Sequence, residues 1–162
     1  MIRDLLENDA QAVLSIYRQG LDTGEASFET APPDWIGWKM KYLPFCRLVW
    51  DHHGQVLGWA TLAPVSARDC YRGVAEISIY VAIDHCGAGI GGKLMNRLVE
   101  ESEKNGIWTL YSSIFPENQA TRQLHLRNGF REVGIRERIA QQNGRWRDTL
   151  VLERRSRITG KD

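Results

Sequence analysis

The chain has 162 residues, 43% hydrophobic and 25% charged, proportions of an ordinary globular domain, so one domain over 1–162 with its own core is expected. Its 21 basic and 20 acidic side chains leave a net charge of +1, which excludes the broad basic field of a nucleic-acid binder. With neither an export signal nor a run of about 18 apolar residues, no membrane partner is expected, and the cytoplasm is the expected compartment.

In chain order, Ile2 to Leu5 reads as a short strand. Asn8 and Gln11 have capping-box spacing and open a helix that carries Ala12, Val13, Ile16 and Tyr17 and ends between Gly20 and Gly24. Residues 26–33 read as an irregular loop, and Pro32-Pro33 followed by Trp35, Trp38, Met40 and Leu43 predicts a second helix. Arg47–Asp51 and Gln55–Ala63 flank a turn at Gly54 and predict an antiparallel hairpin, with Gly58 marking a bulge or a close backbone approach. His52 and His53 sit in that turn and are read as turn residues, not metal ligands.

After a loop over 64–73, the stretch Ala75 to Ile83 alternates. Ala75, Ile77, Ile79, Val81 and Ile83 fall on one face, and Glu76, Ser78, Tyr80 and Ala82 on the other. Gly87, Gly89, Gly91 and Gly92 then lead into a helix with Ile90, Leu94 and Leu98 at helical spacing. Ile107–Phe115 reads as a strand, Asn118 caps a helix that reaches Arg127, and Gly129 closes it. Phe130–Ala140 and Trp146–Glu153 are joined through Asn143-Gly144 as a second hairpin. These elements predict an α/β (α+β) fold, a mixed, mostly antiparallel twisted sheet of about seven strands flanked by about four helices. Arg154, Arg155, Arg157 and Lys161 read as a short solvated tail from about 155. Cys46, Cys70 and Cys86 are odd in number and lack CxxC spacing, which fits reduced thiols and no metal.

The glycine cluster admits three ligand readings. Gly87-x-Gly89-x-x-Gly92 has dinucleotide-fingerprint spacing, but Ser112 and Ser113 stand where an acidic residue belongs. Gly87 to Lys93 has P-loop spacing, but Leu94 replaces the Ser or Thr that would hold magnesium. The third is Cys86-x-x-Gly89-x-Gly91 between a strand and a helix, where exposed helix-start amides attract phosphate. It resembles the pyrophosphate-binding motif of the GCN5-related N-acetyltransferase (GNAT) superfamily, with Cys86 at the usual Gln or Arg position. A nucleophilic Cys86 beside His85 is the lesser reading, because side chains adjacent in sequence rarely point at one substrate.

The element order from Ile2 to Glu153 is similar to that superfamily throughout. The chain resembles its phosphinothricin and methionine sulfoximine N-acetyltransferase branch through four separated motifs: Ala26-Ser27-Phe28-Glu29-Thr30, Glu76 ahead of Ile77-Ser78-Ile79-Tyr80-Val81, Asn118 ahead of Leu124-His125-x-x-x-Gly129-Phe130, and Gly144-x-Trp146-x-Asp148. The resemblance implies acetyl-CoA lying along the central strand at Tyr80, Val81 and Ile83. Its diphosphate would rest on Cys86, Gly87, Ala88, Gly89, Ile90, Gly91, Gly92 and Lys93, with a further contact at Asn118, which also serves as a helix cap.

An N-acetyltransferase must deprotonate an ammonium and support a tetrahedral oxyanion. Glu76, the sole carboxylate on the central strand, is the expected base, the alternative being a solvated carboxylate or a partner of Arg72; the Tyr80–Val81 backbone is the expected oxyanion donor. His125 stands where relatives place a tyrosine, so it is read either as the acid for the departing thiolate or as a packed contact with CoA. Phe28, Arg72 and Trp146 join Glu76 as acceptor-site candidates, each also explicable as core, surface or dimer contact. The expected reaction is direct acetyl transfer in a ternary complex to the amine of a small amino acid analogue, without a metal, in a homodimer. Acetylation of a protein amino terminus and non-catalytic acyl-CoA binding are the alternatives.

Overall fold

The computed structural model describes residues 1–161. Strands β1 (Ile2–Asp4), β2 (Leu48–His52), β3 (Gln55–Pro64), β4 (Val74–Val81), β5 (Thr109–Ile114), β6 (Arg131–Gln142) and β7 (Arg145–Arg155) form one sheet, ordered β1-β2-β3-β4-β5-β7-β6. The helices are α1 (Ala10–Asp22), α2 (Trp35–Lys41), α3 (Ile90–Lys104) and α4 (Gln119–Arg127). All neighbouring strands are antiparallel except β4 and β5, so the expected mixed sheet is the one observed. Both hairpins turn on a pair of positive-φ residues, His53-Gly54 and Asn143-Gly144, which matches the right-handed twist of the flanking strands.

The sheet separates two cores. On one face, Ile90, Leu94, Met95 and Leu98 of α3 pack on Leu48, Ala60, Leu62, Ala75, Ile77 and Leu110. On the other, Val13, Ile16, Tyr17 and Leu21 of α1 and Trp38 of α2 pack on Val49, Val56 and Trp59. Both meanings expected of Gly58 are realised. The register slips beside it, from Trp50↔Gly58 to Asp51↔Val56. A Cβ there would also lie 3.1 Å from the Tyr80 carbonyl and 3.2 Å from Ile90 and Leu94, so α3 sits directly on β3.

Several local expectations are corrected. No Asn8–Gln11 capping box opens α1; instead the Asp9 carboxylate accepts the Leu6 N–H at 2.7 Å and two bonds from the Arg3 guanidinium at 2.7 and 2.9 Å. Charge-assisted bonds to a strand residue outweigh a local cap. Helix α2 is capped by Asp34 and stops at Lys41, leaving Met40 82% exposed, while the Leu43 N–H bonds the Leu62 carbonyl at 2.8 Å. Strand β4 ends at Val81, so Ile83 belongs to a short 3₁₀ turn. The carboxy-terminal stretch is not a solvated tail: Arg154 pairs with Glu103 at 2.9 Å, the Ser156 N–H bonds the Trp108 carbonyl at 2.8 Å, and the Thr159 hydroxyl bonds the Glu103 carbonyl at 2.9 Å.

One feature of the sheet creates a site. β4 and β5 pair only at Val74↔Thr109, Ala75↔Leu110 and Glu76↔Tyr111. Beyond Glu76 the strands part, so β4 from Ile77 to Val81 presents an edge that no strand covers.

Candidate active site

The parting of β4 and β5 opens a cleft of about 530 Å³, lined by Phe28, Glu29, Lys41, Glu76, Val81 and His125 among others. The backbone of its β4 wall is polarised by register. Because the Ala82 N–H bonds the Leu57 carbonyl at 2.8 Å, Val81 and Gly58 form a non-hydrogen-bonded pair. Alternation therefore turns the Val81 and Ile79 N–H groups toward the edge that β5 leaves open, and the Tyr80 N–H toward β3. Of the Tyr80–Val81 backbone, Val81 is the available donor. Tyr80 contributes its ring, stacked on Trp59 at 4.9 Å and beside Tyr17 at 4.7 Å. Ile83 lies past the cleft, and its N–H is engaged by the Gln19 side chain at 2.9 Å.

In the turn that leads from β4 to α3, Gly87 and Gly89 have φ of 84° and 79°, with open space where a Cβ would stand. The Lys93 N–H is the first in α3 to bond backward, to the Gly89 carbonyl at 3.2 Å, so the Ile90, Gly91 and Gly92 amides point outward without intrahelical partners. An uncrowded turn followed by free amides at a helix start suits a diphosphate. A Cβ at Gly91 or Gly92 would lie 3.6 or 3.8 Å from the Leu124 methyls of α4, an ordinary contact, so packing does not itself require glycine there. Ala88 is exposed in this turn. The exposed Cys86 thiol turns back toward the Ala82 carbonyl, 3.6 Å away, and the Lys93 ammonium lies over the Trp50 ring at 4.9 Å.

Glu76 projects from the middle of β4 into the cleft, half-buried, and no hydrogen bond reaches its carboxylate among the described residues. Burial raises its pKa above the ordinary carboxylate value; Lys41 opposes the shift and Glu29 adds to it. His125 is 4% exposed, with Nδ1 2.7 Å from the Thr121 carbonyl. That carbonyl can only accept, so Nδ1 carries the proton and Nε2 is a buried acceptor without a protein partner. Burial also lowers the His125 pKa, so at neutral pH the ring offers a thiol an acceptor and has no proton to give a thiolate. Asn118 caps α4 through the Thr121 N–H at 3.2 Å and donates to the Glu25 carbonyl at 3.4 Å.

The three acceptor candidates separate in space. Phe28 lines the cleft, edge-on to Phe115 at 5.0 Å. Arg72 lies outside it, its side chain 66% exposed, paired with Asp69 at 3.3 Å and stacked over Trp108. Trp146 is 58% exposed and borders a separate depression with Glu25, Glu117 and Asp148.

Sequence reasoning missed the polar cluster at the acceptor end. The Tyr17 hydroxyl donates to Glu29, and the Lys41 ammonium bonds both the Tyr17 oxygen, at 3.0 Å, and Glu29. It also missed Arg147, whose guanidinium lies 3.6 Å from the Phe115 ring centre and bonds the Gly24 carbonyl at 2.8 Å and Glu25 at 3.0 Å. The loop bearing Phe28 and Glu29 is thereby tied to the β6–β7 hairpin. Glu29 lies in the stretch Ala26 to Thr30, but nothing local in sequence pairs it with a lysine on another element. Among the described residues, no group of three or more His, Cys, Asp or Glu side chains is placed to hold a metal.

Residues 10–130 match the model of the Acetyltransferase (GNAT) family. The chain is 32% identical to a phosphinothricin N-acetyltransferase of Alcaligenes faecalis, over 94% of this chain and 81% of that protein. A GNAT superfamily phosphinothricin acetyltransferase from Sinorhizobium meliloti, in complex with AcCoA, superposes with a TM-score of 0.89 at 26% identity, over 100% of this chain and 91% of the other. A ribosomal-protein-alanine N-acetyltransferase from Brucella melitensis superposes with a TM-score of 0.87 at 30% identity, over 96% and 99% of the two chains.

Proposed function

The chain belongs to the GNAT acetyltransferase family and is an acetyl-CoA-dependent N-acetyltransferase, and on that premise we propose that its acceptor is the amino group of a small amino acid analogue of the phosphinothricin or methionine sulfoximine type, attacked directly in a ternary complex. The observation that carries this reading is the unpartnered, half-buried Glu76 carboxylate in a cleft whose Val81 and Leu124 walls border the free amino end of α3.

Acetyl-CoA supplies an activated thioester, and the protein's residues do the rest. The Ile90, Gly91 and Gly92 amides hold the diphosphate, Asn118 adds a contact, and the Val81 N–H faces the carbonyl oxygen, where a fixed dipole stabilises the charge that develops. Glu76 removes one proton from the acceptor ammonium, directly or through a water, and frees the lone pair that attacks. As the tetrahedral adduct collapses, the nitrogen's second proton passes to the departing sulfur. His125 then accepts a hydrogen bond from the thiol through Nε2. Phe28 walls the acceptor end.

The same reading takes the protein as a cytoplasmic homodimer in which a second copy covers Val133, Ile135 and Ile139 on the exposed edge strand β6, near Trp146. Trp146, opposite Gln141 of β6, then lies at the subunit border, outside the cleft of its own chain, and Arg72 stays a surface charge beside Trp108. Steady-state release of free thiol across a panel of amines tests the substrate class. Saturable turnover of amino acid analogues is expected. Turnover of alanine-terminated peptides alone would install the second reading, protein amino-terminal acetylation, to which the Brucella likeness lends weight.

A further inference from the structure

The acceptor end of the cleft holds more charge than the transfer chemistry uses. Glu76 suffices as base, yet Glu29 and Lys41 also line the cavity, from the loop after α1 and from the last turn of α2. Lys41 is the only lysine or arginine in that lining among the described residues. Its ammonium stands 5.1 Å over the Tyr42 ring and 5.5 Å over the Tyr17 ring, between aromatic faces. An ammonium has three donors; Tyr17 and Glu29 take two, leaving one. Glu29 has a second role, because its charge, like that of Lys41, is felt at Glu76, so the three groups share one small space. Arg72, the guanidinium expected to anchor a carboxylate, is outside and paired with Asp69.

We propose that Lys41, oriented by Glu29 and Tyr17, receives the acceptor's carboxylate, and that the acceptor's ammonium lies between Glu29 and Glu76. This rests on the amino acid reading of the acceptor and adds the feature that is recognised: a zwitterion. With the third carboxylate of the lining, Glu25, taken by Arg147, one cation beside two carboxylates complements a molecule with one anion and one cation a few ångströms apart. The ammonium is thereby placed against the base. A peptide amino terminus carries an amide where the carboxylate would be and leaves Lys41 unmatched. A polyamine sets a second cation against Lys41. The network is ordered before the acceptor arrives, so little side-chain freedom is lost on binding. Burial draws the Lys41 pKa down, but the bond to Glu29 together with the influence of Tyr42 and the Glu29 charge outweighs it, so the net shift is upward and the ammonium stays charged.

The experiment compares two acceptors on purified full-length protein: methionine sulfoximine, and the amine that lacks only its carboxylate. Lys41→Met keeps the aliphatic stem and should raise KM for the amino acid by about 10- to 100-fold, the range of a lost charge-assisted hydrogen bond, with kcat nearly unchanged. kcat/KM for the decarboxylated amine should stay within about twofold. Lys41→Arg should restore much of the amino acid's KM. Lys41→Met leaves Glu29 without its cation, so Lys41→Gln, which keeps a neutral donor for Glu29, provides a second variant in case the first folds poorly; it should show the same selective loss. An equal loss on both acceptors, in either variant, overturns the assignment of Lys41 while leaving the amino acid reading intact. Wild-type protein that acetylates the decarboxylated amine and no amino acid overturns both.

Discussion

Glu76 is a half-buried cleft carboxylate whose burial favours the protonated form, a placement that fits the proposed base. Glu76→Gln retains shape and most polar contacts but cannot take a proton, so kcat should fall by roughly 10²–10⁴ while acetyl-CoA affinity is kept. Because burial raises the Glu76 pKa, the acid limb of kcat/KM should rise above the range of an ordinary carboxylate, and it should disappear in the variant. A variant with normal kcat and a raised acceptor KM would make Glu76 a binder only. The same shift bears on stability. A folded pKa above the unfolded one favours the protonated side chain, so its contribution is full below the unfolded pKa and is lost as pH rises through the folded pKa. Glu76→Gln should therefore melt higher than wild type at pH 7, with the difference closing on acidification, readable in paired thermal melts. Cys86 makes no comparable claim, since its thiol faces its own turn, and Cys86→Ser should keep most activity.

At the scale of elements, the glycine turn and α3 act as one unit. Gly89 sits in the left-handed region as the residue that opens α3, so Gly89→Asp adds a conformational cost of about 1–2 kcal/mol and puts a negative charge at the proposed diphosphate site. Calorimetry should show acetyl-CoA affinity reduced tenfold or more; an unchanged Kd would take the turn out of the binding site. The opposite face of the same helix is a packing constraint. Gly58→Val would drive methyls into Ile90 and Leu94, an overpacking that typically costs about 1–3 kcal/mol, or about 2–4 °C of Tm per kcal/mol for a chain of this size. Such elements were open to sequence reading because their signals are local: two turns of paired positive-φ residues, period-two alternation in β4, and glycine before an amphipathic helix. What depended on distant partners was not. The Asp9 carboxylate is engaged by Arg3, Met40 faces solvent because α2 ends early, and Lys41 meets Glu29 only when α2 and the preceding loop fold over α1. Arg72 and Trp146 were grouped with Phe28 by residue type, and the sheet puts them elsewhere.

For the whole molecule, the outer edge of the sheet at β6 has no neighbouring strand among the described residues. β6 is 12 residues long, borders only β7, and leaves Val133, Ile135 and Ile139 about half exposed, a strand edge open to pairing with another chain. Its pairing breaks between Arg136 and Ala140, where Arg138 adopts a positive φ and its N–H bonds the Asp148 carboxylate at 2.7 Å. The far part of the hairpin returns to the active site, because Gln142 donates to the Ser27 carbonyl at 2.9 Å and Arg147 to the Gly24 carbonyl at 2.8 Å. A second copy seated on β6 would thus brace the loop that carries Phe28 and Glu29, linking assembly to acceptor binding and leaving the α3 end untouched. Wild-type protein should sediment as a dimer, and Val133→Lys/Ile135→Lys as a folded monomer. The monomer should bind acetyl-CoA with wild-type affinity but show an acceptor KM raised by roughly tenfold, since a loosened loop must be ordered at each binding event. A wild type that sediments as a monomer at assay concentration removes the dimer. A monomeric variant with an unaltered acceptor KM leaves the dimer in place and removes its link to the site.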